Sequence, residues 1–124
     1  MPGQTFKLSF PTPPSVNTLF RNAGAGDRVK HRIKSAAYTK WEKAAMAEIM
    51  IQRPPKFEGP VTLTLWRGEL RRNADVSNYI KAVEDVLVKM NIIEGDTRET
   101  VRRVSSGYNP DLEGSVVIIQ KVDV

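Results

Sequence analysis

The segment RRNADVSNYIKAVEDVLVKMNIIEGDTRE, residues 71–99, gathers the residue types best able to do chemistry: Asp75, Lys81, Asp85, Glu94 and Asp96. Carboxylates are hard oxygen donors for a divalent cation, and a lysine beside them can stabilise an anion that the cation also faces. The rest of the composition narrows the choice of metal. The chain has no cysteine and one histidine, His31, which excludes disulfides, thiolate zinc sites, cysteine nucleophiles and any histidine-rich metal site. A catalytic metal would therefore sit on oxygen ligands, which points to Mg²⁺ or Mn²⁺.

Helical spacing constrains which acids could share one ion. Asp75 and Asp85 are ten residues apart in the sequence, about 15 Å along a helix axis, too far for a common metal. Asp96 follows the helix and is free to fold back, so Asp75 and Asp96 are the favoured pair. Each also has a plain structural role open to it. Asp75 suits an N-cap, where its carboxylate meets free N–H groups and the positive end of the helix dipole. Asp96 suits the turn EGDT, Asp85 an i, i+4 ion pair with Lys81, and Lys81 an ordinary exposed helix position. Asp75, Asn78 and Asp85 share one edge of the helix, with Lys81 just beyond. Ser77 lies about 200° round the helix from Asp75.

Cations surround these acids. Nineteen Lys+Arg against fourteen Asp+Glu give a net charge of +5 and a pI near 9.7, a balance suited to a polyanion, nucleic acid first. RVKHRIK, residues 28–34, sets Arg28, Lys30, Arg32 and Lys34 around His31 with no acid between. Arg71, Arg72, Arg98, Arg102 and Arg103 flank the acidic segment. A basic run is often only a solvated loop, but its neighbourhood here favours a track for phosphates, which carboxylates alone would repel. Trp41 and Trp66 offer faces for base stacking, although Trp41 falls on a helix stripe and reads as core. Asn17 reads as a turn residue.

The elements that must position these groups follow from periodicity. With 124 residues, 40% hydrophobic and 27% charged, the chain suits a single domain spanning 1–124 with one core. QTFKLSF alternates as a half-buried strand and ends at PTPPS, where three prolines in four residues stop it. Residues 21–34 read as a Gly-containing loop followed by the basic run. From Ser35 to about Gln52 the composition is helical, with Tyr38, Trp41, Ala45 and Ile49 as the apolar stripe and Pro54-Pro55 as the stop. VTLTLWR is a second strand with Val61, Leu63 and Leu65 facing one way. In the helix that follows, Val76, Tyr79, Ile80, Val83, Val86, Leu87 and Met90 fall on one arc of roughly 120°. Residues 98–108 and 115–122 read as a closing hairpin around NPDLEG. The expected class is α+β, in the order β-α-β-α-β-β, with two helices packed on one face of a mixed sheet. No apolar run approaches the ~20 residues of a membrane helix, and MPGQTFKLSF does not read as a signal peptide, so a cytoplasmic protein with no membrane partner is expected.

The combination of FPTPPSVNTLFR, SAAYTKW and RRNADVSNYIKAVEDVL followed by IIEGDTRE resembles the RusA-type Holliday junction resolvases over nearly the whole chain. These are small homodimeric Mg²⁺-dependent endonucleases that cut four-way DNA junctions. The resemblance implies a RusA-like fold and Asp75 and Asp96 as metal-binding aspartates. It also makes Lys81 the catalytic lysine and Asp85 the helical aspartate. Ser77 stands where the best-known members have a second metal aspartate, and Gly95 where many have the first acid of a pair. Ser77 removes one strong ligand, and Glu94 offers a carboxylate in compensation. On this reading Asp75, Asp96 and Lys81 carry the catalysis, and Asp75, Asp96, Glu94 and Ser77 are candidates for the metal. Asp85 and Asn78 are further site candidates, and Arg28, Lys30, Arg32, Lys34, Arg71, Arg72 and Arg98 face DNA. The partners are four-way junction DNA and a second copy of the chain, since symmetric cutting of a two-fold junction needs two sites. A junction- or duplex-binding protein of the same fold with impaired catalysis is the alternative; a structural RNA-binding domain is a weaker third.

Overall fold

A computed structural model describes residues 4–13, 20–22, 32–34, 36–68, 80–97 and 99–122. In chain order the elements are β1 (Thr5–Phe10), β2 (Phe20–Asn22), β3 (Arg32–Lys34), α1 (Ala36–Gln52), β4 (Val61–Arg67), α2 (Ile80–Lys89), β5 (Val101–Tyr108) and β6 (Ser115–Lys121). β1, β6, β4 and β5 form a four-stranded mixed sheet in that spatial order, and β2 pairs with β3 in a small antiparallel sheet. The class is α+β, as expected. The small sheet is an addition: residues 21–34 read as a Gly-containing loop followed by a basic run, yet Phe20 pairs with Lys34 and Asn22 with Arg32. Three-residue strands are too short for a period-2 pattern to show in sequence.

Alternation decides which sheet face is buried. Leu63 and Leu65 of β4 align with Ile119 and Val117 of β6, and Val117 aligns with Leu8 of β1. All five are at most 2% exposed. The alternate residues, Thr62, Thr64 and Trp66 on β4 with Val116, Ile118 and Gln120 on β6, turn to the other face. Both helices cover the first face. Tyr38, Trp41, Ala45 and Ile49 of α1 are buried as their spacing required, and Val83, Val86 and Leu87 of α2 join them in one core. Ala82 is buried as well, and Ile80, Val88 and Met90 pack against the core. The buried arc of α2 is thus wider than one stripe, because the helix meets α1 as well as the sheet. Val76 and Tyr79 lie outside the described residues.

The expected closing hairpin is not formed. β5 pairs with β4 in parallel, and β6 pairs antiparallel with β4 and β1, so β4 lies between the two strands. The parallel neighbours β4 and β5 are joined through α2, the crossover that parallel strands need. That leaves the most apolar strand, SVVIIQK, for an interior position between β4 and β1. The chain crosses the end of β4 through residues 109–114, held by Asn109 N donating to Arg67 O (2.8 Å) and Gly68 N to Gly114 O (2.8 Å). Gly68 is required there: a Cβ would stand 2.0 Å from the Leu112 carbonyl oxygen.

Candidate active site around Lys81 and Asp96

α2 ends in a left-handed cap that sends the chain back along the helix. Asn91 adopts φ 64°, Asn91 N donates to Val88 O and Ile92 N to Leu87 O, both at 2.9 Å. This is a Schellman arrangement, and Asn is among the few residues that enter αL cheaply. Ile92 and Ile93 then bury themselves (3% and 1% exposed), and Ile92 O accepts from Phe57 N at 2.8 Å. The two isoleucines anchor IIEGDT to the core, and the segment after them carries Asp96 to the first turn of α2.

There Lys81 Nζ donates to Asp96 Oδ2 at 2.5 Å and lies 3.1 Å from Asp85 Oδ1. The lysine side chain is 61% exposed and each aspartate 35%. One ammonium therefore joins a helical carboxylate to a loop carboxylate. The Asp96 hydrogen bond, then that of Asp85, raises the Lys81 pKa well above its usual value. The same contact with Lys81 holds the Asp96 carboxyl below its ordinary range. Glu84 behaves oppositely: burial first, then the charge of Asp96, raises its pKa.

Beside this group, Tyr38, Glu42, Asp85, Val88, Lys89 and Asp96 line a cleft of about 330 Å³. Glu42 is 6% exposed on the buried side of α1, and Lys89 Nζ donates to its Oε1 at 2.9 Å. Burial, followed by the charges of Asp85 and Glu42, pushes the Tyr38 hydroxyl up to about 12. The pairing of Glu42 with Lys89 was not anticipated. A signal existed: position 42 is i+4 from Tyr38, so a carboxylate sits on an otherwise apolar stripe and requires a partner.

The structure brings together Lys81, Asp85 and Asp96, three of the residues singled out above. Glu94 is directed elsewhere, its Oε1 accepting from Gly59 N. Asp75, Ser77, Asn78, Arg71, Arg72, Arg98, Arg28 and Lys30 lie outside the described residues, as does Asn17. Arg32 and Lys34 are placed in β3 by their backbone alone. Among the described residues no group of three or more acidic or histidine side chains gathers to hold a metal. The described residues thus do not by themselves make a divalent site; Asp85 and Asp96 share an ammonium. What the group can do is hold two carboxyl groups at fixed positions beside a cleft and keep a cation between them. Among the described residues, no helix is long and apolar enough to cross a membrane. Neither a protein-family model nor a curated protein matches this chain.

Proposed function

We propose that this protein is a divalent-metal-dependent endodeoxyribonuclease of RusA type that resolves Holliday junctions in recombination and repair, acting in the cytoplasm as a homodimer. The observation that carries the reading is the return of Asp96 to Lys81, two residues to which the resemblance gives separate catalytic roles and that lie 15 positions apart. Their local sequences give no reason for contact. In this reading the contact with Lys81, which holds the Asp96 carboxyl below its ordinary range, favours the ionised form that would serve as an oxygen ligand. Asp75 would complete the site, and Ser77 and Glu94 are the further candidates for the metal. A bound Mg²⁺ or Mn²⁺ would supply an activated water and Lewis acidity. Lys81 would face the scissile phosphate and offset its charge. Arg71, Arg72 and Arg98, with the basic run of residues 28–34, would steer the polyanion to the acids.

The test is Mg²⁺-dependent cutting of a synthetic four-way junction by the wild-type protein and by Asp75→Asn and Asp96→Asn. Both variants should lose cutting while keeping junction binding, or tightening it, because a negative charge facing phosphate is removed. Full cutting by either variant would refute the metal assignment. A second reading, a junction-binding protein with impaired catalysis, is favoured by one observation: both described carboxylates of the group are already occupied by Lys81. Tight junction binding by the wild-type protein without cutting would select it.

A further inference from the structure

The sheet face turned away from both helices carries Trp66, 40% exposed. Its ring rests on the neighbouring strand at Gly107, where a Cβ would come within 2.6 Å of the indole Cζ3. Register sets Trp66 beside Gly107 and Thr64 beside Ser105. Lys7 and Arg103, both exposed, share this face on the two edge strands, three strand spacings across and two residues along from each other, about 16 Å apart. No strand position on this face is acidic. Asp111 and Glu113 lie in the loop beyond the strand ends.

We propose that this sheet face binds unpaired DNA, with a base stacked on Trp66 and flanking phosphates held by Lys7 and Arg103. Charge selects the occupant. Two cations with no acidic residue among the described strand positions of the same face match a polyanion, whereas two copies of the face brought together would oppose cations to cations. An indole backed by a glycine is fixed in position and offers a flat π surface, to which every base stacks in a sequence-tolerant way. Thr64 and Ser105 supply hydroxyls that donate and accept. In a duplex each base is already covered above and below, so the ligand is a strand with its bases free. The choice of DNA rests on the nuclease reading; the face itself lies across the sheet from Lys81 and Asp96 and takes no part in cutting.

The experiment titrates the full chain into a labelled oligo(dT), following anisotropy together with quenching of tryptophan emission. Trp41 is 6% exposed and its Nε1 donates to Pro11 O at 2.7 Å, so quenching reports Trp66. Trp66→Leu should weaken binding about tenfold and remove the quenching, and Trp66→Phe should stay within about threefold of wild type. The double variant Lys7→Gln/Arg103→Gln should lower the slope of log K against log salt by about 1.4, near 0.7 for each phosphate contact on a single strand. Melting curves establish that each variant is folded; should Trp66→Leu not fold, the salt slope of the double variant decides. Wild-type affinity in Trp66→Leu, or an unchanged slope in the double variant, would overturn the proposal. So would a dimer that becomes monomeric in Trp66→Leu at constant DNA affinity, which would make the face an interface between copies. Cutting of a four-way junction is read separately. Its absence with oligo(dT) binding intact would refute the nuclease reading alone, and the reverse result would refute this one alone.

Discussion

Lys81, on the first turn of α2, donates a hydrogen bond to Asp96 in the loop beyond the helix at 2.5 Å. The same ammonium reaches Asp85 at 3.1 Å. A local helix pair is thereby extended to a residue that only the reversal at Asn91 brings back. The consequence is electrostatic: Asp96 is ionised more readily than a free aspartate, and Lys81 gives up its proton less readily than a free lysine.

Lys81→Met tests this directly. In the folded protein the Asp96 carboxyl titrates below its ordinary value, chiefly because Lys81 donates to it. Its contribution to stability is therefore present above the unfolded carboxyl's pKa and is lost as pH falls through the lower folded value. The pair is exposed, so that contribution is under about 1 kcal/mol. In Lys81→Met the Asp96 resonance, followed by carboxyl NMR, should titrate at higher pH, and the acid limb of the stability curve should lose this component. Identical Asp96 titrations in the two proteins would show that the ammonium does not sit on this carboxylate in solution.

Glu42 and Lys89 form a different kind of pair. The carboxylate is buried and the lysine side chain is 51% exposed. Lys89→Met should destabilise the protein by about 1–2 kcal/mol, less than a fully buried pair because water still reaches the ammonium. Denaturant unfolding of Lys89→Met beside Glu42→Gln/Lys89→Met measures it. The double variant should recover part of the loss, since it no longer leaves a buried carboxylate without its ammonium. Equal stability of Lys89→Met and wild type would mean the pair contributes nothing.

Gly68→Ala should be among the most damaging single methyl additions. The new carbon would stand 2.0 Å from the Leu112 carbonyl oxygen and 3.0 Å from that of Gly114, and backbone cannot yield as a side-chain tip can. A loss of about 2 kcal/mol or more is expected, on the scale of overpacking in a fixed frame. Gly59→Ala makes the contrast. A Cβ there meets nothing within 4 Å, but φ is +80°, so only backbone strain of about 1 kcal/mol is expected. Thermal melting of the two variants should rank them in that order; the reverse order would mean that residues 109–114 do not cross β4 as described.

The sequence alone determined what depends on local period. Tyr38, Trp41, Ala45 and Ile49 had to share one side of any helix through residues 36–52, and they are buried together. Val61, Leu63 and Leu65 had to share one side of a strand, and they do. The ion pair of Lys81 with Asp85 follows from i, i+4 spacing. Backbone dihedrals set these relations within a few residues, so they are legible without knowledge of the partner element. Which elements become neighbours is settled otherwise. β5 and β6 adjoin in sequence, yet β4 lies between them because the α2 crossover places β5 beside β4 and the most apolar strand fills the interior. Asp96 meets Lys81, Glu42 meets Lys89 and Trp66 covers Gly107 only once that arrangement exists. Burial of apolar area is roughly additive and carries no direction of its own. The competition among strands and helices for one core is therefore decided by the whole chain, and these contacts are its outcome.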